Sequence, residues 1–89
     1  HVVLLDDKGR EFTSEELATL VDKKAMISSK RIVFIIGGPY GFSNEVYARA
    51  DEKMSLSKMT FSHQMVRVIF VEQLYRAFTI IKGIPYHHI

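Results

Sequence analysis

The run "RIVFII", residues 31–36, restricts the fold of this chain more than any other feature of its sequence. From Ile32 onward it is β-branched, aliphatic and aromatic without polar alternation, and it stops at Gly37-Gly38-Pro39. That is the pattern of a strand buried on both faces of a parallel sheet. A second β-rich run, "HVVLL", opens the chain, and "DDKGR" after it supplies turn chemistry with a glycine, so a strand and then a turn are expected there. Between the two runs, Thr13 and Glu16 have capping-box spacing and Glu15 adds acid to the first turn. Leu17, Leu20 and Val21 share a face, and Lys23 and Lys24 complement the helix end. A helix over about residues 14–25 follows, and strand, helix, strand reads as a βαβ unit.

After the glycine loop, Ser43 or Asn44 can cap a helix running to about Ala50, and "KMSLSKMT" reads as a short strand passing into a loop. His63 to Lys82 is the longest periodic segment, ended by Gly83 and Pro85. At 100° per residue Val66, Phe70, Leu74, Ala77, Phe78 and Ile81 form one apolar stripe, while Met65, Val68, Ile69, Tyr75 and Ile80 lie among the polar residues opposite. One core cannot hide that much apolar surface, so this helix is expected at a dimer interface.

With 89 residues the chain is expected to form a single domain, residues 1–89, with a thin margin of stability. It has no cysteine, which excludes a disulfide framework, a thiolate metal site and a cysteine nucleophile. No apolar run reaches membrane-spanning length, so no membrane partner is expected. Starting inside a strand-like run without methionine, the chain is read as a fragment of a longer protein. Its net charge of +2 is unevenly spread: residues 1–52 carry seven Lys/Arg against nine Asp/Glu, residues 53–89 five against one. A basic C-terminal part fits either phosphate binding or a solvated face.

Two loops are candidates for ligand contact. "IIGGPYGFS" follows a strand and precedes a helix, where open α/β sheets bind ligands, and its glycines admit close approach to the backbone. It matches neither G-x-G-x-x-G nor the Walker pattern, and alone a strand-end Gly-Gly-Pro is more often a plain turn. "SLSKMTFSH" offers hydroxyls flanked by Leu56, Met59 and Phe61, which suits a flat apolar base with a polar sugar; alone, a turn with Ser62 or His63 as the helix cap is the commoner role. Glu72 precedes Arg76 by four residues, the spacing of an intrahelical ion pair. In the terminal "PYHHI", His87 and His88 are adjacent and share no face, and no other ligand cluster accompanies them, so no metal site is expected.

Together, in this order, the segments are more specific than any one of them. Through "FIIGGPYGFS", "LSKMTFSHQMVRVIFVEQLYRAF" and "IPYHH", with weaker support from "VVLLDDKGREFTSEELA", the chain resembles the C-terminal part of bacterial pseudouridine N3-methyltransferases of 23S ribosomal RNA. These are α/β-knot enzymes of the SPOUT superfamily. The resemblance implies a parallel sheet flanked by helices, a C-terminal deep trefoil knot, an N-terminally truncated chain, S-adenosylmethionine as cofactor, a cytoplasmic homodimer, and 23S rRNA of the large subunit or ribosome as partner. It implies cofactor contacts from Ile36, Gly37 and Gly38 and from Leu56, Ser57, Lys58, Met59, Thr60 and Phe61, chiefly through backbone groups. Its implied catalytic residues are Arg76, holding phosphate or charge developing on the uracil carbonyls, Tyr86, stacking on or bonding to the base, and His87, assisting loss of the N3 proton. Where some relatives end in Tyr-His-Arg, this chain has Tyr86-His87-His88. The competing reading is a non-catalytic dimeric α/β module that binds RNA or protein.

Overall fold

The computed structural model describes residues 1–38 and 40–88, with His88 described by its backbone alone. Pro39 of the glycine loop therefore lies outside the described residues. The elements follow in the order β1 (Val2–Glu11), α1 (Ser14–Val21), β2 (Val33–Ile36), α2 (Asn44–Arg49), β3 (Glu52–Ser55) and α3 (His63–Lys82). All three strands are parallel, in the order β2-β1-β3. The expected parallel sheet flanked by helices is thus present.

β1, not β2, is the central strand. Val3 and Leu4 are wholly buried and Leu5 nearly so, whereas Val33 is exposed and Phe34, Ile35 and Ile36 are half-buried. The expectation that "RIVFII" is buried on both faces is corrected: among the described residues β2 pairs with β1 alone, so it lies at the edge of the sheet and Val33 stays exposed.

β1 also runs past its expected turn. Leu5 and Arg10 both pair with Met54, so Asp6–Gly9 leave the ladder as a four-residue excursion and the strand resumes at Arg10. The turn chemistry is used inside the strand, where the Lys8 N–H donates to the Asp6 carboxylate at 3.2 Å. Gly9 brings the chain back against β3: a Cβ there would lie 2.7 Å from the Lys53 carbonyl carbon.

α1 starts at the expected capping box. The Glu16 N–H donates to Thr13 Oγ1 at 3.0 Å, and the Thr13 N–H donates to Glu16 Oε1 at 2.8 Å. The helix then widens into a π-type segment, Asp22–Ile27, closed by a Ser28 N–H to Lys23 carbonyl bond of 3.1 Å. Val3, Leu5, Leu17, Ala18, Val21, Met54, Phe70 and Ala77 form the core between the sheet and the α1/α3 layer. Phe70 meets Phe34 with ring centroids 4.8 Å apart.

Ser62 caps α3 through the Met65 N–H, and Gly83, in the left-handed region at φ 71°, ends it. Phe70, Leu74, Ala77 and Ile81 face the core as expected, but two residues exchange sides: Ile80 packs on the core and Phe78 is exposed. What faces solvent is a second stripe, Met65, Val68, Val71, Tyr75 and Phe78, at steps of three and four. No helix among the described residues is long and apolar enough to cross a membrane.

Candidate functional site

Because the strands are parallel, their carboxyl ends lie along one edge of the sheet, and a cavity of about 470 Å³ opens there. That volume falls in the range of small-molecule sites. Three chain segments and one helix build it. Leu5, Asp6 and Asp7 come from β1 and its excursion; Ile36, Gly37, Gly38, Gly41 and Phe42 from β2 and the loop after it. Met54 to Ser57 and Met59 to His63 come from β3 and its loop, and Val66 from the first turn of α3.

Each loop holds its shape through its own bonds. The Gly41 N–H donates to the Gly38 carbonyl at 3.1 Å, and Gly41 takes a φ of 75°, where an L side chain is strained. A Cβ on Gly37 would stand 3.0 Å from Phe42 Cζ and 3.3 Å from the Gly41 carbonyl oxygen, so glycine there lets the loop fold back without displacing the Phe42 ring. Across the cavity, the buried Ser55 hydroxyl donates to the Ser57 carbonyl at 2.7 Å and the Met59 N–H donates to Ser57 Oγ at 3.0 Å. The Tyr47 hydroxyl donates to Asp6 Oδ2 at 2.7 Å, tying α2 to the excursion, and the Tyr47 ring meets Phe42 edge-on at 5.7 Å. Burial raises the Asp6 pKa, but bonds from Tyr47 and the Lys8 backbone, with the Lys53 charge, more than offset it, so the carboxyl sits below its ordinary range. The Tyr47 hydroxyl is correspondingly pushed up, chiefly by its bond to Asp6.

Eight of the nine residues expected at a cofactor line this cavity: Ile36, Gly37, Gly38, Leu56, Ser57, Met59, Thr60 and Phe61. Lys58 belongs to the loop but not to the wall, and its side chain is exposed. Sequence reasoning missed Leu5, Asp6 and Asp7. The signal was available, since the first strand of a parallel sheet delivers its carboxyl end to the same edge as the others.

Arg76, Tyr86 and His87 gather at a second place. Residues Pro85–His88 form a 3₁₀ turn against α3, and Tyr86 lies edge-on to Tyr75 at 5.0 Å with the Arg76 guanidinium 4.9 Å from its ring centre. Arg76 donates to Glu72 from Nη2 at 2.9 Å and from Nε at 3.1 Å, which raises its pKa further. Arg76 Nη1 stands 3.1 Å from His87 Nδ1, and His87 Nε2 stands 3.2 Å from Glu15 Oε2. A guanidinium only donates, so Nδ1 is the acceptor and Nε2 carries the hydrogen toward Glu15. The Glu15 carboxyl is held below its usual range by its own backbone N–H and by His87. Glu72 and Glu15 were not expected as partners of this cluster together; only the Glu72–Arg76 spacing announced one of them.

None of Arg76, Tyr86 and His87 lines the cavity. Val66, at the cavity, and Arg76 are ten positions apart on α3, about 15 Å along a helix. Among the described residues, no group of three or more His, Asp or Glu could hold a metal ion.

Fold and site define a parallel α/β chain with a cavity of small-molecule size at the carboxyl ends of its strands. The family model described as "Predicted SPOUT methyltransferase" matches residues 1–87, and the chain belongs to this family. Similar relatives are ribosomal RNA large subunit methyltransferase H of Christiangramia forsetii, 64% identical over 98% of this chain and 55% of the relative, and that of Bacteroides fragilis, with the same figures. The Parabacteroides distasonis protein of that name is 61% identical over 99% of this chain and 56% of its own length. The chain spans about half the length of the curated relatives it matches.

Proposed function

We propose that this chain is the cofactor-binding part of an S-adenosylmethionine-dependent methyltransferase that acts, as a cytoplasmic homodimer, on N3 of a pseudouridine in 23S rRNA. The observation that carries the reading is the cavity at the strand ends, whose walls fit the cofactor: apolar Ile36, Leu56, Met59 and Phe61 suit a flat base, and Ser57, Thr60 and the glycine backbone suit polar groups. When bound, the cofactor supplies a methyl group on a sulfonium. The relatives' printed names support ribosomal RNA of the large subunit as substrate. The C-terminal knot implied by the resemblance belongs to the same proposal.

The division of the site supports the dimer. With the cavity about 15 Å along α3 from Arg76, one copy does not bring cofactor and Arg76 cluster together. The solvent-facing stripe of α3, with Met65 51%, Val68 65%, Val71 64% and Tyr75 57% exposed, offers a second copy an apolar face, across which one subunit's cavity can meet the other's cluster. In that arrangement Arg76 holds RNA phosphate or charge on the base, and Tyr86 stacks on the base. His87, bonded at both ring nitrogens, can take the N3 proton only at Nδ1 and only after Arg76 turns away toward RNA.

The test is transfer of labelled methyl groups to 23S rRNA in large subunits and in whole ribosomes, by a protein of the relatives' full length that carries this chain. Label on N3 of a pseudouridine is expected. Absence of transfer to both substrates would refute the proposal.

A further inference from the structure

The cavity is acidic in a chain that is not. Asp6 and Asp7 form one wall, and no lysine or arginine is among the described residues that line it, although the chain as a whole carries a net +2. This wall is no accident of a loose loop. The four-residue excursion of β1 carries both carboxylates out of the ladder, and Asp6 is held on one oxygen by the Tyr47 hydroxyl at 2.7 Å and on the other by the Lys8 N–H at 3.2 Å. The anchored Asp6 has its pKa below the ordinary range, so it is ionised at neutral pH. Lys53, the cation whose charge acts on Asp6, is itself engaged 5.3 Å from the centre of the Tyr47 ring.

Resting on the reading that the cavity holds S-adenosylmethionine, we propose that Asp6 and Asp7 are specificity-determining residues that select the cationic methyl donor over its neutral product. In methyl transfer the S–CH₃ bond breaks with its electron pair left on sulfur, a new N–CH₃ bond forms at the acceptor, and the acceptor's proton leaves to base or water. The ligand in the cavity thereby loses one positive charge, while the carboxylates keep theirs. Attraction that favoured the donor is withdrawn at the moment of reaction, so the wall loosens the product and lets fresh donor displace it. Apolar and hydroxyl contacts from the Leu56–Phe61 loop are the same for both ligands and set their common affinity.

Calorimetric titration with S-adenosylmethionine and with S-adenosylhomocysteine, on this chain and on a protein of the relatives' full length, measures the ratio of the two Kd values. The wild type is expected to bind the donor more tightly by on the order of tenfold, the size of one charge pair about 10 Å apart at an effective dielectric of about 20. Asp7→Asn should bring the ratio toward one by weakening donor binding alone. Asp6→Asn should do the same and, because one accepting oxygen then remains where Tyr47 and Lys8 now bond to two, weaken both ligands somewhat. If the ratio in both variants equals that of the wild type, charge selection is overturned while the cofactor site stands. If neither ligand binds the wild type at either length, the proposed function falls and this inference with it.

Discussion

Replacing Gly9 by alanine should separate β1 from β3 at the base of the acidic wall. A Cβ at that position would stand 2.7 Å from the Lys53 carbonyl carbon, 2.8 Å from the Met54 nitrogen and 2.9 Å from the Lys53 oxygen, all backbone atoms, where ordinary contact begins at 3.4 Å. No side chain can swing away to relieve the overlap, so the two backbones must part by about 0.7 Å, enough to stretch a ladder bond of ordinary length, about 2.9 Å, beyond useful reach. Overpacking of this kind costs about 1–3 kcal/mol, offset by roughly 0.4–1 kcal/mol because alanine restricts the unfolded chain. At mid-range values, about 2 kcal/mol less about 0.7 kcal/mol, the net loss is about 1.3 kcal/mol, a fall in Tm of roughly 5–10 °C for a domain of this size. Thermal and urea melts of wild type and Gly9→Ala at one protein concentration measure it, with Gly38→Ala, where a Cβ meets nothing within 4 Å, as the control. A Gly9→Ala melt within 1 °C of wild type, or an equal drop in the control, would refute the steric argument.

Three further outcomes are expected. Arg76→Ala should lower methyl transfer at least tenfold while leaving donor affinity unchanged, because Arg76 lies outside the cavity; an unchanged rate would reduce it to the partner of Glu72. Val71→Glu, placing a charge in the exposed stripe of α3, should shift sedimentation from dimer to monomer without altering the far-ultraviolet spectrum, and a dimer that persists would move the seam elsewhere. Since the folded Asp6 carboxyl titrates below its ordinary 3.8, its contribution to stability is full above that value and is lost as pH falls through the lower folded value; urea midpoints of Asp6→Asn should therefore lose less between pH 5 and pH 2 than those of wild type.

Local chemistry made the elements legible and left their arrangement open. The Thr13–Glu16 capping box, the Ser62 cap and the Gly83 stop are short-range devices whose partners lie within a few residues, and each appears where its spacing put it. Which apolar run is central depends on pairing between distant segments, and that is why the sequence of β2 reads as doubly buried although β1 holds the central place. The excursion of β1 was hidden for the same reason: "DDKGR" shows a turn, but only pairing of both Leu5 and Arg10 with Met54 shows that the strand continues beyond it. On α3, ideal 100° steps assigned Phe78 and Ile80 to the wrong sides because the boundary between faces follows the neighbours, here α1, β2 and the Pro85–His88 turn, rather than the helix axis alone. For the cavity, the two loops carried compositional marks, glycines in one and hydroxyls in the other, whereas Asp6 and Asp7 looked like ordinary turn residues. The distance between cavity and Arg76 cluster follows from helix length and was calculable from sequence once both were assigned to opposite ends of residues 63–82.

The central claim, a cofactor site at the carboxyl ends of the strands, is tested most directly by a residue-resolved titration: amide ¹H–¹⁵N spectra of the labelled chain with increasing S-adenosylmethionine. Saturable shifts concentrated at Ile36, Gly37 and Gly38 and from Leu56 to Phe61, with Asp6 and Asp7 following and Phe12 to Leu17 unmoved, are predicted. Shifts confined to Phe12–Leu17, or none at saturating donor in a chain whose spectrum is that of a folded protein, would contradict the account.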